Sequence, residues 1–73
     1  KFMTLLSPKE VKVLTLVAEG YTDKEVGKEL KLSERTVQTY LGRILQKLSA
    51  RNRVNAAVLF FMQYPEKYGQ SIK

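Results

Sequence analysis

Five basic side chains, Arg35, Arg43, Lys47, Arg51 and Arg53, stand between residues 35 and 53 with no acid among them. Cations at that density are suited to holding a polyanion. Ammonium and guanidinium groups neutralise phosphates, and the guanidinium fork also matches the acceptor pair on a guanine edge. Elsewhere the charges nearly cancel. Residues 1–34 set Lys1, Lys9, Lys12, Lys24, Lys28 and Lys31 against Glu10, Glu19, Asp23, Glu25, Glu29 and Glu34, so the net charge of +6 belongs almost wholly to one segment. A basic run taken alone reads equally well as a solvated helix face, so the organisation of the chain has to separate the two readings.

Other chemistries are poorly served by this composition. The 73 residues include no His and no Cys, which removes the commonest general base and metal ligand, thiolate sites and disulfide staples. Catalysis would have to rest on Asp, Glu, Lys or Tyr, and the expectation is a protein that performs no covalent chemistry and uses no cofactor. The longest apolar run, Ala56 to Met62, is far shorter than the ~18–20 residues of a membrane span. With no signal-peptide pattern, a reducing, cytoplasmic location fits best. The chain starts at Lys1 and reads as one small domain cut from a longer protein.

The residues that must position the basic set fall into four helical segments, and no strand pattern, repeat or low-complexity stretch intervenes. The first spans about 8–19. Ser7 caps it, Pro8 suits the first turn, Glu10 completes a capping box and Gly20 closes it. Val11, Leu14, Val17 and Ala18 form its apolar side. The second, about 23–30, opens on the capping box of Thr22 and Glu25 and turns Val26 and Leu30 inward, with Gly27 allowing close packing. After Lys31 and Leu32, Ser33 caps a third helix of about 34–48. Its Val37, Leu41, Ile44, Leu45 and Leu48 make a core stripe with Tyr40 at the edge. Arg35, Thr39, Gly42, Arg43 and Gln46 point the other way, flanked by Gln38 and Lys47. A fourth helix spans about 53–64, with Val54, Ala57, Val58 and Phe61 as its expected inward stripe. An arm, 1–6, and a polar tail, 65–73, flank the whole. The fold class is all-α.

A short helix, a tight connection and a longer helix with a basic, acid-free outer face make a helix-turn-helix. In that motif the second helix enters the major groove while the first crosses the backbone. The segments LSPKEVKVLTLVAEG, YTDKEVGKEL, LSERTVQTYLGRILQKL and ARNRVNAAV, in this order and spacing, resemble the LuxR/NarL-type helix-turn-helix domain of bacterial transcription regulators over roughly residues 5–60. The resemblance implies four helices, with the third in the groove and the fourth at a dimer contact. By position it implies Gln38, Thr39, Gly42 and Arg43 as base-facing residues. Arg35 joins them from its place on the outer face. It also implies Thr22, Lys24, Thr36 and Lys47 as phosphate ligands. Where the family often has Lys, this chain has Gln38; where it often has His, Tyr40; where it usually has a side chain, Gly42. Base preference therefore does not carry over from a relative.

Several residues keep a second, structural reading. Glu10 serves better as a cap or ion-pair partner than as an acid or base. Tyr40 borders the core and is read first as packing, and Thr22 first as a cap. Arg51 and Arg53 either close the third helix or reach a phosphate; Arg51 is placed with the phosphate set. On the fourth helix Ala56, Leu59 and Phe60 lie opposite the expected inward stripe. They are assigned to a dimer interface, unless the arm Phe2-Met3-Thr4-Leu5-Leu6 covers them. The expected partners are double-stranded DNA, a second copy of the chain on DNA and an N-terminal sensor or receiver domain, with RNA polymerase as a further candidate. The rival readings are a helical protein-interaction module with a basic docking face, and a weak RNA binder, the latter short of exposed aromatics for stacking.

Overall fold

Each of the first three helices starts on a hydroxyl that accepts a backbone N–H. In the computed structural model, which describes residues 6–63, these are α1 (Pro8–Ala18), α2 (Asp23–Leu30) and α3 (Glu34–Leu48), followed by α4 (Arg53–Gln63). Ser7 and Glu10 form a reciprocal capping box on α1, and Thr22 and Glu25 repeat it on α2. Ser33 caps α3 by accepting the Thr36 N–H at 3.0 Å. Asn52 does the same for α4, accepting the Asn55 N–H at 2.8 Å, while the Asn55 side chain accepts the Arg51 N–H at 3.0 Å. The arm ahead of Leu6, Tyr64 and the tail lie outside the described residues.

The three helix ends share one solution. Tyr21, Leu32 and Ala50 each donate their N–H to the carbonyl five residues back, on Leu16, Gly27 and Leu45. The residue before each sits at positive φ, namely Gly20 at 98°, Lys31 at 60° and Ser49 at 54°. This left-handed exit turns the chain sharply, so α2 reaches α3 through Lys31, Leu32 and Ser33 alone. Gly27 is required there. A Cβ on it would lie 2.5 Å from the Leu32 carbonyl oxygen, so the close approach this glycine permits is by the connecting backbone and not by another helix.

The core is built from all four helices. Val13, Leu14 and Val17 of α1, Val26 of α2, Val37, Leu41, Ile44 and Leu48 of α3, and Ala56 and Phe60 of α4 are buried, together with Leu6. On α1 the centre of the buried face is Val13 and Leu14, with Glu10 beside them; the expected Val11 and Ala18 are only half-buried. Leu45 and Tyr40 pack at the margin of the core, as does Leu30.

On α4 the expected orientation is reversed. Ala56 and Phe60 are fully buried and Leu59 is half-buried against the core, so they form the inner face and not an outward dimer surface. The outer face is instead Val54, Val58, Phe61 and Met62, with Val54 and Met62 each 68% exposed and Val58 48%. The physical reason is that α4 packs on α1 and α3 through one small and one large side chain a turn apart. Ala56 lets the helices approach, and Phe60 fills the space between them.

Candidate nucleic-acid interface

Buried Val37, Leu41, Ile44 and Leu48 lock the rotation of α3 and turn one polar face outward. Arg35, Gln38, Thr39, Gly42, Arg43 and Gln46 are all exposed on it, with no acid after Glu34 in the first turn. Thr39 returns its hydroxyl to the Arg35 carbonyl at 3.2 Å, which presents its methyl and leaves its oxygen available as an acceptor. Thr36 is half-buried. Its hydroxyl accepts from Ser33 Oγ at 2.8 Å, an arrangement that holds both hydroxyls at the α3 N-terminus. The base-facing set expected from the sequence thus shares one surface, and Gln46 joins it from one turn further along.

The five cations do not act as one set. Lys47 Nζ lies 2.9 and 3.1 Å from the two carboxylate oxygens of Glu10, a residue 3% exposed. This ion pair joins α3 to α1 and engages the lysine that the resemblance places among the phosphate ligands, while its side chain stays 39% exposed. Burial alone would raise the Glu10 pKa. The hydrogen bond and charge of Lys47, with the Ser7 N–H donating at 2.8 Å, outweigh that and hold it below its ordinary value. Arg53 is committed too. Its guanidinium donates to Asp23 Oδ1 at 2.8 Å and to the Tyr21 carbonyl at 3.3 Å, bridging the start of α4 to the start of α2. It neither caps α3 nor faces outward as a free cation. Arg35, Arg43 and Arg51 make no ion pair among the described residues and are exposed.

Around the α2 start, Thr22 and Lys24 are exposed, and the Thr22 hydroxyl serves the capping box first, accepting from the Glu25 N–H at 3.2 Å. The Arg53–Asp23 bridge anchors this start, and it went unseen in the sequence because its members are 30 residues apart with no local pattern linking them. A second surface is apolar where the α3 face is polar. Val54, Ala57, Val58 and Phe61 of α4, with Ala18 of α1, line an open recess of about 270 Å³. Among the described residues no helix is long and apolar enough to cross a membrane, and no acidic cluster could hold a metal ion.

Comparison with known proteins agrees with the geometry. The model of a family described as bacterial regulatory proteins, luxR family, matches residues 4–60. The transcriptional regulatory protein LiaR of Bacillus subtilis (strain 168) is 45% identical over 53 residues, covering 73% of this chain and 25% of that relative. The nitrate/nitrite response regulator protein NarP of Escherichia coli (strain K12) is 37% identical over 60 residues, covering 82% of this chain and 28% of NarP. The transcriptional regulatory protein DesR of Bacillus subtilis (strain 168) is 43% identical over 51 residues, covering 70% of the chain and 26% of DesR. The chain spans about a quarter of the length of these relatives.

Proposed function

The chain belongs to the luxR family of bacterial regulatory proteins, DNA-binding helix-turn-helix domains of transcription regulators, and from that premise we propose that α3 lies in the major groove of an operator read by two copies of the domain. The observation that carries the reading is the α3 face itself: Arg35, Gln38, Thr39, Gly42 and Arg43 exposed together, without an acid, on a helix held rigid by four buried side chains. Arg35 and Arg43 supply forks for guanine, Gln38 an amide for adenine, and Thr39 a methyl or hydroxyl contact. Thr22, Lys24, Thr36 and Arg51 hold the flanking phosphates, aided by the N-termini of α2 and α3. The second copy docks through the outer face of α4, with Val54, Val58 and Met62 in place of the residues expected from the sequence. Because relatives named as response regulators are about three times as long, we read the chain as the effector portion of a longer regulator with an N-terminal sensor or receiver domain.

The test is selection of bound sites from a random duplex pool, followed by titration across salt. With Lys47 and Arg53 paired internally, the free cations at the interface are Lys24, Arg35, Arg43 and Arg51. The logarithm of the binding constant should then fall against log[salt] with a slope of about −3 to −4 per copy. Arg43→Ala should cost about 1–3 kcal/mol and relax preference at one base pair of each half-site. Binding that ignores salt and tolerates Arg43→Ala at every position would place the DNA contact elsewhere or remove it.

A further inference from the structure

Gly42 sits in the middle of the exposed α3 face, and nothing among the described residues explains it. Its backbone is helical, it is absent from the positive-φ positions, and a Cβ built on it would meet nothing within 4 Å among the described residues. Gly20 and Gly27 differ on both counts: Gly20 is at φ 98°, and a Cβ on Gly27 would strike the Leu32 carbonyl. An alanine at 42 would fit the free protein and would hold the helix better, because glycine gives the unfolded chain more freedom to lose. A glycine of this kind is accounted for when another molecule comes up against the backbone.

We propose that Gly42 is the point where the α3 backbone comes closest to the base edges, and that the space left by its missing side chain houses the methyl group of a thymine. This rests on α3 occupying the groove as proposed above. The major-groove edges of the bases are planar arrays of donors and acceptors, and the thymine methyl is the one apolar group that projects from them. Gln38 stands one turn before Gly42 and Gln46 one turn after it, both exposed. An amide is the side chain that pairs with the N6 and N7 edge of adenine, whose partner across the base pair is thymine. The two glutamines and Thr39 therefore flank a stretch of bare, open backbone, and on DNA a methyl is the group that would come to rest there.

The experiment compares the parent chain with Gly42→Ala on the selected duplex, and on a set of duplexes in which each thymine in turn is replaced by uracil, which lacks only the methyl. Gly42→Ala should raise the melting temperature of the free protein by about 4–8 °C, since it removes a helix glycine from a protein of this size. It should also weaken binding to the thymine duplex by about tenfold, the cost of forcing one extra methyl into a packed contact. One uracil substitution should restore the variant to within about threefold of the parent, and the same substitution should weaken the parent, which loses its methyl contact. A variant that is more stable and binds the thymine duplex as tightly as the parent overturns the close approach at Gly42. A binding loss that no uracil relieves overturns the methyl pocket. A parent chain that selects no duplex at all removes the groove reading and this inference together, so the two failures are told apart by the parent alone.

Discussion

Glu10 shows how one side chain can serve a local and a distant partner at once. It closes the α1 capping box and accepts both contacts from Lys47, 37 residues away, while almost fully buried. The sequence disclosed the first role through the Ser7–Glu10 spacing and left the second open between cap and ion pair, because no local rule points from residue 10 to residue 47. The pair has a pH signature. The Glu10 pKa is lowered in the folded state, so its contribution to stability is complete above the ordinary glutamate range and is lost as pH falls through that range toward the lower folded value. Denaturant midpoints of the parent should therefore drop below about pH 4.5. Glu10→Gln should be less stable than the parent at pH 7 and should show a shallower acid limb, and equal acid limbs would remove Glu10 as their source. Gly27 gives a second residue-scale expectation, opposite in sign to the one at Gly42. Gly27→Ala drives a Cβ to 2.5 Å from backbone that the Leu32–Gly27 hydrogen bond holds in place, so it should lower stability by about 1–3 kcal/mol despite alanine's better helix propensity. A Gly27→Ala chain that melts at or above the parent temperature would mean the α2–α3 connection can shift to make room.

At the scale of elements, the legibility of each helix followed the contrast between its faces. The rotation of α3 was readable because Arg35, Gln38, Thr39, Arg43 and Gln46 form an unbroken polar side opposite Val37, Leu41, Ile44 and Leu48, and the structure buries that stripe. The helix starts were readable because caps are local chemistry, and all of Ser7, Thr22 and Ser33 accept as expected. The rotation of α4 was not readable. Between Val54 and Met62 only Asn55 is polar, so a helical wheel has no hydrophilic face to set its phase, and the side that faces inward is decided by fit against α1 and α3. Arg53 was equally hidden: the sequence left it between closing α3 and reaching a phosphate, whereas in space it ties α4 to the α2 start through Asp23 and the Tyr21 carbonyl. Both groups of the pair are partly exposed, so their coupling should be modest. A double-mutant cycle with Arg53→Gln and Asp23→Asn should give about 0.5–1 kcal/mol of interaction energy that declines with added salt. No measurable coupling would reduce the bridge to a surface contact without influence on how α2 is held.

At the scale of the whole molecule, the function proposed above divides the work between the polar α3 face, which would read one half-site, and the apolar α4 face, which would recruit a second copy. The α4 patch is small: Val54, Val58 and Met62 with the recess lined by Ala18, Ala57 and Phe61. A contact of that size falls short of the ~1,000 Å² of a stable interface, so pairing is expected on DNA, where the duplex brings the copies together. A two-fold contact uses the same patch on both copies, so a change at Val58 would enter the contact twice. Half-site centres should then lie about 10 base pairs apart, so that both α3 helices enter the groove on one side of the duplex. Val58→Lys should keep the fold, because Val58 is 48% exposed and the ammonium can stay in water. It should bind a single half-site as the parent does and lose the added affinity of a second, correctly spaced half-site. An extra lysine could also strengthen binding to any duplex through charge alone, so Val58→Glu is the companion variant: it reverses that electrostatic effect while placing like charges at the same contact. Loss of the second-site gain in both variants, with far-ultraviolet circular dichroism unchanged, is the outcome expected of an α4 dimer contact. Cooperative binding retained by both would move the pairing surface off this face of α4.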